Sequence, residues 1–349
     1  MGRGPAARTV ELLGGWLVLA AVLCENLGVV WDVQWHEDVG PDTFFTASHL
    51  LIYIAPALAG LTSLAVVLHR TGQHRAGSTE DGGKAVTVFG KFRAPVGFLV
   101  AGVGAALELV YGMADLWWHS EYGFDVTLNS PPHVGLALGG AAICIGGMLV
   151  FASLRDLRAG RLGLVLTVAI TMATIIFAMF WAQPRLLWIT LVDVLFLVLA
   201  AAIVRRPGWM LALGAAFLVL DVVDWFFAPW ATLQYAQSLG LPLRDGVTVL
   251  PLMPIQYPML LPLAAVLIEL AMLVGRRTGL SPKAVIPVAG AVCAAVMLVG
   301  YHYQDVLFDT DRTPDLVDCA VGVVLALGVA WLGWWLASPL RRLSVEVTA

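Results

Sequence analysis

The run WDVQWHEDVGPDTFFTASH, residues 31–49, joins the end of one apolar segment to the start of the next. Asp32 and His36 are four residues apart, so on a helix they lie on one face, one turn from each other. Twelve residues separate His36 from His49, which fits a short loop and the first turn of a second helix. The stretch therefore predicts a helical hairpin whose turn brings together one carboxylate and two imidazoles, a ligand set that suits a metal ion.

The same pattern returns later in the chain. Its second copy consists of Asp115, His119 and His133, with thirteen residues between the two histidines. Both copies have a tryptophan directly before the first histidine and a glutamate seven residues before the aspartate. These residues are Trp35 and Glu25 in the first copy, and Trp118 and Glu108 in the second. Because so many positions agree, we interpret the two copies as an internal duplication of one hairpin.

The composition places these hairpins in a membrane. Of the 349 residues, 60% are hydrophobic and only 13% are charged, whereas soluble domains have roughly 25% charged residues. An apolar run of about 20 residues is long enough to cross a bilayer. Ten such runs occur, near residues 10–31, 46–68, 94–116, 132–154, 162–181, 186–204, 208–230, 251–275, 284–304 and 315–338. The sequence therefore predicts an all-α fold, a polytopic membrane bundle of about ten transmembrane helices built from repeated helical hairpins.

The basic residues orient this bundle. Cytoplasmic loops of membrane proteins carry an excess of Lys and Arg, and 17 of the 20 basic residues fall on one side of the predicted spans. We therefore expect a multi-pass protein of a bacterial inner (cytoplasmic) membrane, with both termini in the cytoplasm and both Asp-His-His sets at the outer face. Beyond these loops the sequence has no basic patch, so we expect no nucleic acid partner.

The hairpins divide the chain into three predicted regions. Residues 1–154 form a metal-binding half, residues 155–207 a connecting hairpin, and residues 208–349 a second half of degenerate repeats. The second half lacks a complete Asp-His-His set. It does contain a candidate third metal site, which consists of His302, Asp305, Asp315 and Asp318.

The ligand types leave the identity of the metal open. Two imidazoles and one carboxylate suit copper, non-haem iron and zinc. Zinc would act as a Lewis acid, whereas copper or iron would act on O2. The hydrolase signatures HExxH and GxSxG are absent from the sequence, so the motifs do not favour hydrolysis.

The first copy also carries a more specific likeness. Its segment from Trp35-His36 to Thr46-Ala47-Ser48-His49 resembles the copper-site segment of a membrane subunit of the particulate methane and ammonia monooxygenases, the copper membrane monooxygenase family. That family has an Asp-x3-His-x12-His site followed by an Asn-x3-His-x13-His site, and the two spacings occur here in the same order. The present chain has Asp115 in place of that Asn, and it contains no cupredoxin-like soluble domain.

This resemblance implies a function. It implies that Asp32, His36 and His49 form one copper site and that Asp115, His119 and His133 form a second, which we expect to be the catalytic one. The activity implied is that of a copper-dependent membrane monooxygenase, which activates O2 to oxidise a lipid-soluble apolar substrate. The electron donor would be a quinol or a cupredoxin-like partner, and the chain would belong to an oligomer or a larger complex.

Four neighbouring residues extend the predicted sites. Glu25 and Glu108 lie on nearly the same helix faces as the aspartates. They would accept a hydrogen bond from a ligand imidazole or donate protons, or alternatively form polar contacts between helices. Trp35 and Trp118 would wall the sites or carry electrons, or alternatively belong to an aromatic belt.

Two other functions remain open from the sequence. The first is membrane copper handling or transport, although transporters place their ligands near the bilayer midplane and these ligands are expected at helix ends. The second is a subunit of a larger complex in which the metals only brace the helices.

Overall fold

The structure is a computed structural model that describes residues 5–40, 42–77, 85–123, 129–179, 183–245, 247, 250–310 and 314–343. It contains ten α-helices and one short β-hairpin within those residues. The helices are α1 Pro5–Asp38, α2 Ala47–Arg75, α3 Val96–Tyr122, α4 Pro131–Ser153, α5 Arg158–Ala178, α6 Arg185–Val204, α7 Trp209–Leu239, α8 Leu261–Thr278, α9 Pro282–Phe308 and α10 Leu316–Arg341. The predicted all-α, multi-pass membrane fold is confirmed.

Nine of the ten helices in the described ranges are long and apolar enough to cross a membrane. The exception is α8, whose 18 residues include Glu269, Arg276 and Arg277. The eighth span was predicted over 251–275, but its first ten residues are not α-helical and contain only a 3-10 turn, Pro254–Gln256. The prolines at 251, 254 and 258 account for this, because proline lacks the N–H that a helix interior requires.

The chain divides into two compact units, while its division into three regions at 154 and 207 stays a prediction. The first unit comprises Met1–Thr167, Phe226–Pro251 and Arg342–Ala349. The second comprises Val168–Trp225 and Leu252–Arg341. Both Asp-His-His sets belong to the first unit.

Glycines set the close packing of the first unit. A Cβ on Gly28 of α1 would lie 2.8 Å from the backbone N of Ile52 in α2, and a Cβ on Gly104 of α3 would lie 2.7 Å from the backbone N of Ile143 in α4. Small residues let transmembrane helices approach closely. The hairpins α1–α2 and α3–α4 are therefore held together along their lengths, and this fixes the side chains at their turns.

Regular structure extends into the polar region between the second and third apolar segments. The helix α2 continues to Arg75 and includes His69 and His74. The strands β1 Ala85–Val88 and β2 Phe92–Pro95 then form an antiparallel hairpin in which Ala85 pairs with Pro95. This end of the unit is thus more regular than its polar composition indicated.

The turn between α1 and α2 is anchored by the segment after α7. The N–H of Arg244 donates to the carbonyl oxygen of Asp38 at 2.7 Å. The Arg244 guanidinium covers Gly40, where a Cβ would overlap it. Gly40 has φ of +96°, a conformation that residues with a side chain rarely adopt. Arg244 therefore holds the end of α1 at Asp38 and the loop residue Gly40 in place.

The second unit is built around α6, most of whose residues are buried. Helices α9 and α10 pack closely, since a Cβ on Gly290 would lie 3.1 Å from the carbonyl oxygen of Ala326. The carboxylate of Glu269 accepts hydrogen bonds from the backbone N–H groups of Gly208, at 3.0 Å, and Met210, at 3.1 Å. Glu269 thus satisfies free N–H groups at the start of α7.

Candidate metal centres

The first cluster lies where α1 ends and α2 begins. His36 Nε2 is 3.5 Å from Asp32 Oδ2, and His49 Nε2 is 3.0 Å from Asp32 Oδ1. The hairpin therefore brings the three expected residues of the first copy together, as the spacing predicted.

The first cluster contains a fourth residue that the spacing did not predict. Asp42 Oδ2 lies 3.3 Å from His36 Nε2 and 3.2 Å from His49 Nε2. Its side chain is 1% exposed, although it sits in a loop that the sequence shows only as acidic. The available signal was an acid within the loop that the hairpin must close, but spacing alone does not distinguish Asp42 from Glu37 and Asp38. The four residues have ligand atoms that all lie within 4.8 Å of one another.

Hydrogen bonds orient the ligands of the first cluster. The Nδ1 atom of His49 lies 2.9 Å from the carbonyl oxygen of Thr43. A carbonyl only accepts, so Nδ1 carries the proton and donates. In the neutral imidazole, Nε2 is then the atom with the free lone pair, and it faces the carboxylates. Ser48 Oγ donates to Asp32 Oδ1 at 2.7 Å, which fixes the rotamer of that carboxylate.

The second cluster lies where α3 ends and α4 begins. His119 Nε2 is 3.3 Å from Asp115 Oδ2, and His133 Nε2 is 3.5 Å from Asp115 Oδ1. The ligand atoms of the three residues again lie within 4.8 Å of one another. Residues 124–128 of the intervening loop lie outside the described ranges, so the structure defines three members of this cluster.

Hydrogen bonds also orient the histidines of the second cluster. His119 Nδ1 donates to the carbonyl oxygen of Gly123 at 3.1 Å. His133 Nδ1 lies 2.8 Å from Ser130 Oγ. That hydroxyl also accepts the N–H of His133 at 3.2 Å, so Ser130 is the N-cap of α4. The residue that starts the helix therefore also positions a candidate ligand.

The geometry of both clusters fits a metal ion. Ligand atoms at about 2.0–2.2 Å from a common ion, at angles between octahedral and tetrahedral, lie about 2.8–3.6 Å apart. The nitrogen-to-oxygen distances here are 3.0–3.5 Å. Nitrogen lone pairs and carboxylate oxygens at such distances repel one another unless a proton or a cation lies between them. Imidazoles held through Nδ1 by a carbonyl are the usual arrangement around protein-bound metals.

Glu25 and Glu108 meet each other rather than the ligands. Both are buried, at 6% and 5% exposure, and their carboxyl groups are hydrogen-bonded to each other. They lie against Gly140 of α4, where a Cβ would be 2.9 Å from Glu108 Oε1 and would overlap Glu25 Oε1. The Nδ1 atoms of the ligand rings His49, His119 and His133 have other partners. The expected hydrogen bond from those rings to either glutamate is therefore absent from the described residues.

The two tryptophans differ in their surroundings. Trp35 is 1% exposed and packs with Val39 and Ala236 in a small core, with its ring 4.9 Å from that of Tyr235. Trp118 is half-buried and its ring lies 4.5 Å from that of Tyr122. The burial of Trp35 among apolar residues argues against a place in an exposed aromatic belt, whereas electron transfer through either ring stays a prediction.

The candidate third site is not assembled in the structure. Within the described residues, only the two clusters above bring three or more such ligand atoms within 4.8 Å of one another. Asp315 Oδ1 accepts the N–H of Asp318 at 2.7 Å, and Asp305 Oδ1 accepts from the hydroxyl of Thr310. These two carboxylates therefore accept hydrogen bonds at the end of α9 and at the start of α10. The side chain of His302 is exposed.

Comparison with protein-family models, with curated proteins and with solved structures finds no significant match to this chain.

Proposed function

We propose that this chain is a copper-dependent membrane monooxygenase-like protein that binds two coppers, one at each cluster, and uses O2 to oxidise an apolar substrate. The observation that carries the proposal is the arrangement of His49 and His119. Each donates its Nδ1 proton to a backbone carbonyl and turns Nε2 toward a carboxylate at 3.0–3.3 Å. A metal cation between the nitrogen and the oxygen would remove the repulsion of this arrangement, as a proton on Nε2 does in the metal-free protein.

Copper is favoured among the metals that suit these ligands. Two imidazoles and a carboxylate also accept iron or zinc, and the resemblance to the monooxygenase subunit selects copper. Bound copper would supply the one-electron redox chemistry that O2 activation requires. The carboxylates would stabilise its higher oxidation state, and the imidazoles suit both oxidation states.

We assign different roles to the two clusters. Four described residues surround the first site, and a site with all positions filled by protein is typical of a structural or storage metal. Three described residues form the second, whose loop over 124–128 lies outside the described ranges, and we keep the sequence-based expectation that this second site is the catalytic one. Asp115, His119 and His133 are therefore the proposed catalytic set, and Asp32, His36, Asp42 and His49 the companion set.

The surface beside the second cluster suits a substrate from the lipid phase. Met113 is 73% exposed, Leu116 45% and Trp117 56%. These residues lie on α3 within two residues of Asp115, and α3 is a candidate membrane span. An apolar molecule dissolved in the bilayer would reach this end of α3 without crossing water.

Topology and partners complete the proposal. Both clusters lie at the α1–α2 and α3–α4 turns, and the basic residues of the sequence favour those turns at the outer face of a bacterial inner membrane, with both termini in the cytoplasm. Electrons would come from a quinol or a cupredoxin-like partner, within an oligomer or complex. The internal duplication stays part of this proposal.

The decisive experiment is metal analysis of the purified, detergent-solubilised protein after reconstitution with copper. We expect two coppers per chain, and one in His119→Ala or His49→Ala. His302→Ala is the matched control, because this exposed histidine lies outside both clusters, and it should retain two. Zinc alone, or no metal, would refute the proposal.

A second experiment tests the reaction. Copper-loaded protein should consume O2 with a quinol and an apolar hydrocarbon, and Asp115→Ala should abolish consumption while retaining one copper. Two bound coppers with no O2 consumption under any reductant would instead support copper handling or a metal-braced subunit, the two alternatives that the sequence leaves open.

A further inference from the structure

Two acidic side chains meet inside the first unit. Glu25 comes from α1, Glu108 from α3, and the backbone of Gly140 on α4 closes the third side. Each carboxyl is more than nine-tenths buried and hydrogen-bonded to the other. One oxygen of each, Oε2, is buried and has no hydrogen-bond partner among the described residues.

Two ionised carboxylates cannot share such a place. Like charges in contact within a medium of low dielectric repel strongly, and two carboxyls that share a site hold one proton tightly. A hydrogen bond between them also requires a proton on one, because an ionised carboxylate only accepts. The contact therefore demands a bound proton or a cation.

The helices around the pair carry no basic residue at its level. Helix α4 has no Asp, Glu, Lys or Arg, and its ionisable residues are His133 and Cys144. Helix α2 has no ionisable residue between Tyr53 and His69. On the two helices that carry the pair, the nearest ionisable residues are Cys24 and Asp32 on α1 and Tyr111 and Asp115 on α3.

The space at the pair is small. A methyl group on Gly140 would already overlap Glu25 Oε1. The two carboxyls therefore fill the space next to this glycine. A proton needs no additional volume, whereas a cation needs several oxygen ligands around it. We propose that Glu25 and Glu108 form a proton-binding site that holds at least one proton at neutral pH, and that cation binding at the two metal clusters lowers its proton occupancy.

The coupling follows from position and rests on the proposed metal function. Each glutamate lies seven residues before an aspartate ligand, Asp32 or Asp115. Seven residues are nearly two helical turns, or about 10 Å, on nearly the same face. A cation bound at either cluster therefore acts electrostatically on the pair through the interior of the helices. Screening there is weaker than in water. In a protein that reduces O2, such a site would store a proton close to the metals.

Infrared difference spectroscopy tests the proton without any metal. The spectrum of metal-free wild-type protein minus that of E25Q/E108Q at neutral pH should contain the C=O band of a protonated carboxyl, and this band should shift in D2O. Bands of ionised carboxylates alone would overturn the proposal, including the case of a bound cation. Should the variant fail to fold, 13C-glutamate labelling of wild-type protein shows whether a protonated carboxyl belongs to a glutamate, and the absence of such a shifted band would overturn the proposal.

The matched control is E11Q. Glu11 is also a buried glutamate of α1, but its Oε1 lies 3.2 Å from the guanidinium of Arg70, so it has a cationic partner and should be ionised. The wild-type minus E11Q spectrum should therefore contain carboxylate bands only.

Proton release tests the coupling. When Zn²⁺, a redox-inert probe, is titrated into unbuffered protein, wild type should release more protons per bound ion than E25Q/E108Q, because both share the release from the clusters themselves. Equal release would overturn the coupling. Failure of Zn²⁺ to bind would overturn the coupling as stated for cations in general, while the copper analysis above decides the proposed metal function and the infrared result decides whether the pair holds a proton.

Discussion

A single ring nitrogen determines what each histidine of the clusters can do. The carbonyl oxygens of Thr43 and Gly123 accept hydrogen bonds from the Nδ1–H groups of His49 and His119, and this leaves Nε2 as the atom available to a metal. The same histidines without these carbonyls would exchange between two tautomers, and the clusters would lose their orientation. The backbone of each turn thus orients a candidate ligand of its cluster.

At the residue scale, Asp42 is the fourth described member of the first cluster. We expect Asp42→Asn to weaken copper binding at the first cluster at least about tenfold, because an amide replaces a carboxylate 3.2–3.3 Å from two imidazole nitrogens. Copper binding at the second cluster should not change. Isothermal titration of apo protein measures both.

Glu37→Gln is the control for Asp42→Asn. It removes the same charge from the same turn, but the Glu37 side chain is exposed. An equal loss of affinity in both variants would mean that only the overall charge of the loop matters, and Asp42 would not be a ligand.

Gly140 gives a second prediction at this scale. Gly140→Ala should destabilise the protein by about 1–3 kcal/mol, since the added methyl overlaps Glu25 and a packed interior adjusts poorly to extra volume. Thermal unfolding in detergent should show a lower Tm. Gly328→Ala is the comparison: its Cβ would meet nothing within 4 Å, so its Tm should stay equal or rise.

At the scale of the elements, the sites depend on where helices end. Apolar length predicted that the first span stops near residue 31, but α1 continues to Asp38. The extension carries Asp32 and His36 on one rigid helix, with the loop to α2 only a few residues long. A helix that ended at 31 would leave both ligands in a flexible segment, and the cluster would have to be ordered by the metal itself.

Ser130 tests the coupling between a helix start and a ligand. Ser130→Ala should cost about 1 kcal/mol through loss of the N-cap. It should also weaken copper binding at the second cluster by about 10–100-fold, because Ser130 Oγ holds His133 Nδ1 at 2.8 Å. Unfolding measurements and copper titration separate the two effects.

The variant Ser130→Thr serves as the control, since it keeps the hydroxyl. It should restore both the stability and the affinity. If Ser130→Ala lowered stability while copper affinity stayed the same, the contact with His133 would have no role in metal binding.

At the scale of the whole molecule, the charge distribution predicts one orientation in the membrane. Single cysteines placed at Glu37 and Arg75, in a background without the four native cysteines, test it. An impermeant maleimide added to intact cells should label Glu37→Cys and leave Arg75→Cys unlabelled until the cells are opened. Both positions are exposed, so access rather than burial decides the result. The opposite pattern would invert the topology.

The features predicted correctly are those that depend on residues close together in the sequence. About ten transmembrane helices were expected, and the described part of the chain contains ten α-helices, nine of them long and apolar enough to cross a membrane. This agreement follows because long apolar runs are the direct requirement for crossing a bilayer. The Asp-x3-His pairs were also found in place, because helix geometry alone puts them together. The predicted eighth span began about ten residues too early, since the apolar residues around the prolines at 251, 254 and 258 extend the hydrophobic run while these prolines interrupt a helix.

The sequence by itself determined the membrane class, the hairpins and three members of each cluster, since all of these depend on neighbours within a few helical turns or one short loop. Only the tertiary structure decided that Asp42 turns into the first cluster, that Glu25 meets Glu108, and that Asp315 starts a helix instead of joining a cluster. Those outcomes depend on how closely separate helices approach. That distance is set by glycine contacts such as Gly104 with Ile143, and a one-dimensional pattern does not contain it.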